Sequence, residues 1–283
     1  MSDNKQKGRT ALIKLIATDL DGTLMSVDHL TVTPRTVDTL KRAHDRGVKF
    51  AIATGRPLGL TGDVIKQIPF TDYIIYSNGA CVYDRNADKI IYSNLIENDQ
   101  ARKLISYFLK NNVFFEIYVD GTSHYQLGTE DLFDTSQFPK EFIDEATKTM
   151  TGHNDLLKYL GDLDIEKITL YSVKGEEYKR FEEKFLSYDL SVACSFKGNL
   201  EATVKSADKG KALDGICKAI GITADECMSF GDAGNDIPML KFAKYSFAMA
   251  NGSDECKESA KFTARSNAED GLALAVEEYV LGN

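Results

Sequence analysis

Residues 12–23 read Leu12-Ile13-Lys14-Leu15-Ile16-Ala17-Thr18-Asp19-Leu20-Asp21-Gly22-Thr23. An apolar run of strand length ends in two carboxylates two residues apart, and a glycine follows. Side chains at i and i+2 of an extended segment point the same way, so Asp19 and Asp21 can converge on one small volume. Two like charges that close are unfavourable unless a cation or a shared proton compensates. Oxygen ligands of this kind suit Mg²⁺. Taken alone, the stretch reads equally well as a solvated Asp-Gly turn.

Other segments supply partners. Met228-Ser229-Phe230-Gly231-Asp232-Ala233-Gly234-Asn235-Asp236 is again a short apolar strand running into a Gly-rich turn with two carboxylates. Thr54-Gly55-Arg56 stands at the tip of Val48-Lys49-Phe50-Ala51-Ile52-Ala53, and Lys209-Gly210 opens a helical stretch. In this order the four segments resemble the haloacid dehalogenase superfamily. Its pattern is D-x-D-G-T, a Ser or Thr after a second strand, a Lys, and G-D-x-x-N-D. Each alone is a weak signal; together they are specific.

The bulk properties agree with such an enzyme. A chain of 283 residues with 43% hydrophobic content can bury one large domain or two ordinary ones. The net charge of −9 argues against nucleic acid, since phosphate-backbone binding needs clustered Lys and Arg. Five cysteines at 81, 194, 217, 227 and 256 are odd in number and widely spaced. They suggest neither a disulfide framework nor a zinc site, and free thiols in a reducing cytoplasm are the expectation. Residues 2–10 are polar and expected to fray, and the apolar run after them is too short to cross a membrane. The histidines His29, His44, His124 and His153 have no metal or nucleophile spacing and are expected on the surface or in loops.

The first part alternates strand and helix. Thr33 caps a helix with Pro34 at its first position, and Gly47 ends it. A strand over 48–53 follows, then a helix over 57–67 and a strand over 73–76. This rhythm predicts a parallel sheet with helices on both faces. Ligands bind beyond the carboxyl ends of such strands, where Asp19, Thr54 and Asn78 fall. After residue 80 hairpins take over: 81–83 with 89–92, and 113–119 with 123–127 through Asp120-Gly121. Further strands are expected over 168–173, 190–196 and 200–204, and helices over 99–110 and 176–186. The aromatics Phe114, Phe115 and Tyr118 are expected in the core of this region. The α/β rhythm returns with a helix from Lys209, strands ending at Asp232 and over 246–249, and a terminal helix from Gly271.

Asp19 and Asp232 can share a metal only if the domain between them is looped out. The expected fold is therefore α/β: a Rossmann-like parallel-sheet core, residues 1–83 and 204–283, with an inserted α+β cap over 84–203. That placement is similar to the Cof-type branch of the superfamily, and residues 263–271 look like its sugar-phosphatase members.

The resemblance implies roles. Asp19 would be the nucleophile, forming an aspartyl-phosphate, and Asp21 the acid–base that protonates the leaving oxygen and then activates water. Mg²⁺ would be held by Asp19, the Asp21 backbone carbonyl, Asp232, and Asn235 and Asp236 directly or through water. Thr54 and Lys209 would contact the phosphoryl group, with Gly55, Arg56, Asn78 and Asn235 around it. Asn251 and Lys257 would brace the metal site from behind. The expected reaction is Mg²⁺-dependent hydrolysis of a small phosphorylated metabolite, a sugar phosphate or related compound. A phosphomutase and a non-catalytic phosphometabolite sensor are the alternatives. The sensor has no need of both Asp19 and Asp21.

Overall fold

The stretch Leu15–Thr18 (β1) forms a fully buried strand between two parallel neighbours. The structure is a computed structural model that describes residues 13–137, 147–194 and 198–282. The expectations for residues 2–10, for Leu12 and for the strand end at 195–196 lie outside them. Beside β1 run Lys49–Ala53 (β2) and Tyr73–Tyr76 (β3), continued by the hairpin Cys81–Asp84 (β4) and Lys89–Ser93 (β5). On its other side lie Cys227–Gly231 (β12), Tyr245–Met249 (β13) and Phe262–Ala264 (β14). The order β14-β13-β12-β1-β2-β3-β4-β5 is parallel except for the hairpin. Strands covered on both faces read as continuous apolar runs, which is why β1 shows no alternation.

One face of this sheet packs Ile16, Phe50, Ile52, Met228 and Phe230 against Pro34–Asp45 (α1) and Gly271–Val276 (α9). The other packs Leu15, Ala17, Ala51 and Ile75 against Lys209–Ile220 (α6). Thr33 caps α1 through its side chain, as its place before Pro34 predicts. The helix expected over 57–67 is interrupted: a short turn over Leu58–Leu60 precedes Gly62–Gln67 (α2). The division expected at residue 84 falls inside the β4–β5 hairpin. Because β4 continues the pairing of β3, the hairpin extends the large sheet, and the chain leaves that sheet only after Ser93.

A second sheet of six strands has the order β10-β11-β9-β6-β7-β8. Its strands are Phe115–Val119 (β6), Thr122–Gln126 (β7), Met150–His153 (β8), Lys167–Leu170 (β9), Leu190–Ala193 (β10) and Leu200–Val204 (β11). Phe115, Ile117, Ile168, Leu170, Leu200 and Ala202 turn one face toward Asn98–Lys110 (α3), Leu156–Leu160 (α4) and Gly175–Leu186 (α5). Phe115 is therefore core, as expected. Tyr118 alternates to the opposite face, where its hydroxyl bonds Glu116. Two strands escaped the sequence reading, β8 and β14. The first carries Gly152 and His153 in place of an apolar pattern, and the second has three residues.

The expectation that all histidines are peripheral fails for His124. It is buried in β7 and bonds Thr122, the Tyr159 hydroxyl and His153 at 2.8, 2.8 and 3.0 Å. Burial, then the neighbouring His153, hold its imidazole below the usual value. None of the five cysteines is in a disulfide, and the Cys217 and Cys227 sulfurs lie 3.2 Å apart. Among the described residues no helix is long and apolar enough to cross a membrane.

Candidate active site

Register brings the motifs together. Thr18 stands level with Phe230 of β12 and Ile52 of β2, so Asp19, Asp232 and Thr54 emerge at adjacent carboxyl ends. The chain after β1 turns at Gly22, whose φ of +83° favours glycine. A side chain there would also strike Asp232, since a Cβ would lie 2.5 Å from Oδ2. Gly55 is needed for closeness alone: a Cβ would lie 2.7 Å from Asn78 Oδ1.

The centre of the site is Lys209. Asp208 caps α6, accepting from Lys211 N at 2.8 Å, and so places Lys209 in the first turn, pointing at β1. Its ammonium is 0% exposed and donates to Asp19 Oδ1 and Asp236 Oδ1, each at 2.6 Å. A lysine at a helix start is opposed by the helix dipole, and a buried ammonium loses its hydration. Burial alone would lower its pKa; Asp19 and Asp236 outweigh that and hold it above the ordinary value. Asp236 is fully committed, because Oδ2 accepts from the backbone N–H groups of Asp232 and Ala233 at 2.9 and 3.0 Å. It fastens the glycine-rich turn to the lysine.

Asp19, Asp232 and Asp236 each offer an oxygen within 4.8 Å of the others. Asp232 Oδ1 accepts from Thr23 Oγ1 at 2.7 Å. Among the described residues no hydrogen bond falls on Asp19 Oδ2 or Asp232 Oδ2. Burial first, offset by Lys209 and reinforced by Asp236 and Asp232, pushes the Asp19 carboxyl up to about 8. Burial likewise raises Asp232. One buried ammonium does not balance three carboxylates. The donor set, oxygen only with two carboxylate oxygens still open, fits a hard divalent cation.

Asp21 stands apart from that cluster. Arg56 holds its carboxylate with two bonds, Nη2 to Oδ1 at 2.6 Å and Nε to Oδ2 at 3.0 Å, and His29 lies 3.5 Å away. The two aspartates do not converge as the i, i+2 argument suggests, because the strand ends at Thr18 and the chain turns over Leu20–Leu24, so Asp21 no longer continues the extended line of Asp19. Arg56 is thus engaged by Asp21. Thr54 is buried, and its Oγ1 accepts from Arg56 N at 3.1 Å, which leaves its proton to donate. Asn235 donates to Asn78 Oδ1 at 3.2 Å across the mouth of the site. Asn251 donates to the Gly22 carbonyl at 2.8 Å and fixes the turn. Lys257 makes no ion pair with the site carboxylates and lies 3.9 Å from Asp254 of its own helix, Asp254–Ser259 (α8).

Two groups at this mouth have no signal in the spacing of the sequence. Lys167 of β9 reaches from the small sheet to donate to the Gly55 carbonyl at 3.1 Å. Glu166 accepts from Ser77 Oγ at 3.0 Å and from Gly121 N at 2.7 Å, joining the two sheets. Lys167 opens β9 and Glu166 directly precedes it, and neither is legible until that strand lies over the core.

Replacing Lys209 by Met should leave Asp19 and Asp236 buried without their cation. Breaking such a pair from one side costs roughly 3–5 kcal/mol. Urea unfolding should read that loss in the metal-free protein, with part of it recovered on adding Mg²⁺. A variant as stable as the wild type would remove Lys209 from its central electrostatic role.

Residues 16–276 match the model of the haloacid dehalogenase-like hydrolase family. The 5-amino-6-(5-phospho-D-ribitylamino)uracil phosphatase YcsE of Bacillus subtilis (strain 168) is 28% identical over 269 residues, covering 95% of this chain and 96% of that protein. YitU of the same organism, named for the same activity, is 30% identical over 274 residues, covering 94% and 97%. A crystal structure of a haloacid dehalogenase-like hydrolase from Bacteroides thetaiotaomicron superposes with a TM-score of 0.81 at 25% identity, covering 94% of this chain and 99% of that one.

Proposed function

The chain belongs to the haloacid dehalogenase-like hydrolases, in their Cof-type branch, and from that premise we propose that it is a Mg²⁺-dependent sugar-phosphate phosphatase working through an aspartyl-phosphate on Asp19. It is a phosphoric monoester hydrolase of small phosphorylated substrates. The observation that carries the finer reading is the fully buried Lys209 between Asp19 and Asp236, beside a carboxylate oxygen left open. The relatives named for a ribityl phosphate support a polyol-like leaving group.

In this reading Asp19 Oδ2 attacks phosphorus while the bond to the leaving oxygen breaks. The Asp21 carboxyl gives that oxygen its proton. Asp21 then takes a proton from water, which attacks the phosphorus of the aspartyl-phosphate and frees Asp19. Lys209 stays protonated throughout and steadies Asp19 and the phosphoryl oxygens, and the Thr54 hydroxyl donates to one of those oxygens. Mg²⁺ bound by Asp19, Asp232 and the Asp21 carbonyl, with Asn235 and Asp236 behind, would neutralise charge between carboxylate and phosphoryl group. Arg56 orients Asp21, and Asn78 and Gly55 shape the pocket rim. Asn251 supports the turn after Asp19, and Lys257 acts as a neighbouring charge.

We read the chain as a discontinuous core with an inserted cap: the sequence divides it at 83/84 and 203/204, and the β4–β5 hairpin, which pairs into the large sheet, moves the first division to after Ser93. A small cytoplasmic metabolite is the proposed partner, in line with five cysteines outside any disulfide.

The metal has a pH signature. Asp19 titrates at about 8 without metal, so below that pH a proton occupies a ligand. Binding must expel it. Apparent Mg²⁺ affinity should therefore rise with pH, by up to about tenfold per unit, and level off above about pH 8. Calorimetry in two buffers of different ionisation enthalpy should read the released proton, and excess chelator should abolish turnover. A pH-independent affinity between about pH 6 and 9, with full turnover in chelator, would exclude the metal.

A further inference from the structure

Cys217 and Cys227 meet from different elements of the core. Cys217 lies in the last turn of α6, and Cys227 opens β12. They are ten residues apart in the chain and 2% and 0% exposed, in one cluster with Leu213, Ile216 and Met239. Their sulfurs lie 3.2 Å apart, nearer than the about 3.5–4.0 Å at which carbon atoms pack. Sulfurs bond at about 2.05 Å, so the two must approach by only about 1.2 Å to join.

A cysteine can serve a core simply as a small apolar side chain. Cys81 and Cys256 fit that role: each sits in a separate cluster, the first with Ile74 and Tyr76, the second with Leu240 and Ala248. Burial pushes both of those thiols up to about 12. Cys217 differs, because the hydrogen bond from Cys227 holds its thiol below the ordinary value. The same bond, then burial, raises Cys227. Of the two, Cys217 is the better nucleophile and Cys227 the thiol waiting beside it.

The place of the pair gives a bond there a consequence. Lys209 stands at the other end of α6, about 12 Å along the helix. Asp232 follows the other end of β12, about 16 Å along the strand. A bond between the sulfurs therefore ties the helix that holds Lys209 to the strand that leads to Asp232, and it stays clear of the site itself.

We propose that Cys217 and Cys227 are an oxidation site, a buried dithiol that a peroxide converts to a reversible disulfide, locking α6 to β12. The Cys217 sulfur attacks one oxygen of hydrogen peroxide and the O–O bond breaks. That oxygen stays on sulfur as a sulfenic acid, and the other leaves with the thiol proton as water. The Cys227 sulfur then attacks the Cys217 sulfur, the S–O bond breaks, and a second water leaves with the Cys227 proton. The two thiols lose two electrons and the peroxide gains them. A small dithiol reverses the bond by exchange and leaves as its own disulfide. Hydrogen peroxide is close to water in size and enters through the small openings that folded proteins undergo, whereas bulkier oxidants meet only the exposed Cys194.

The test uses the full chain carrying Cys194→Ser, which removes the exposed thiol. The reduced protein is treated with hydrogen peroxide, alkylated in denaturant and mapped by mass spectrometry without reduction. The expected product is one intramolecular link, Cys217 to Cys227, with Cys81 and Cys256 alkylated. Tm should rise by about 4 °C and return to its starting value after dithiothreitol. Adding Cys227→Ala removes the second thiol, so the sulfenic acid on Cys217 persists and dimedone labels it; adding Cys217→Ala instead leaves no label on Cys227. Cys217 and Cys227 recovered as alkylated thiols after peroxide treatment would overturn the proposal. A linked protein with Tm at or below that of the reduced form would overturn it too, since the bond would then strain the core. If Cys227→Ala folds poorly, the map and the Tm of the Cys194→Ser protein decide the matter.

Discussion

Asp19→Asn abolishes turnover and leaves no phosphorylated protein. The substitution removes the attacking carboxylate oxygen and one of the two open metal oxygens together, and the amide is a poor nucleophile. The expected loss in kcat is at least about 10⁴-fold, the scale seen when a nucleophile is removed. The fold should survive. The Asn oxygen can still accept from Lys209, and the wild-type carboxylate pays for its burial with a pKa pushed up to about 8. Steady-state release of phosphate, with mass spectrometry after acid quench, is the measurement. Turnover within tenfold of wild type would assign the nucleophile elsewhere.

Asp21→Asn slows both chemical steps and traps the intermediate. The residue cannot carry a proton, which typically costs about 10²–10⁴-fold. An aryl phosphate leaves without much protonation, so the first step continues while hydrolysis of the aspartyl-phosphate still lacks its base. A phosphoprotein should accumulate, and peptide mapping should place the phosphate on Asp19. Stability should barely change, because the Arg56–Asp21 pair is 31% and 42% exposed and such pairs contribute about 1 kcal/mol or less. Phosphate on another residue, or no accumulation with any leaving group, would overturn the two-step assignment.

Much of the site is legible along the chain because each piece is local. A strand tip with a glycine turn can be seen in Asp19 to Thr23, in Thr54-Gly55-Arg56 and in the turn from Asp232 to Asp236. The reading fails where geometry depends on one backbone angle. Asp21 looks like a twin of Asp19, yet the turn that starts at Leu20 takes it off the strand line, and its carboxylate meets Arg56. It fails again where polarity misleads. His124 is placed at the surface by composition and lies buried, because Thr122, His153 and Tyr159 satisfy its nitrogens. The hairpin through Ser93 looks like the start of the insertion, since a hairpin does not announce which sheet its outer strand extends.

The sequence by itself determined the alternation of strands and helices and the α/β class of the parallel sheet. Those follow from period, caps and turn chemistry, which act over a few residues at a time. Only the tertiary structure decided that Lys209 is buried between Asp19 and Asp236, that Asp236 is spent on its own turn, and that Lys167 comes from a distant strand to Gly55. The contacts of Lys209 and Lys167 join groups 27 to 190 residues apart. Sheet register and the closeness of the two sheets set them, and no short stretch of the chain encodes either.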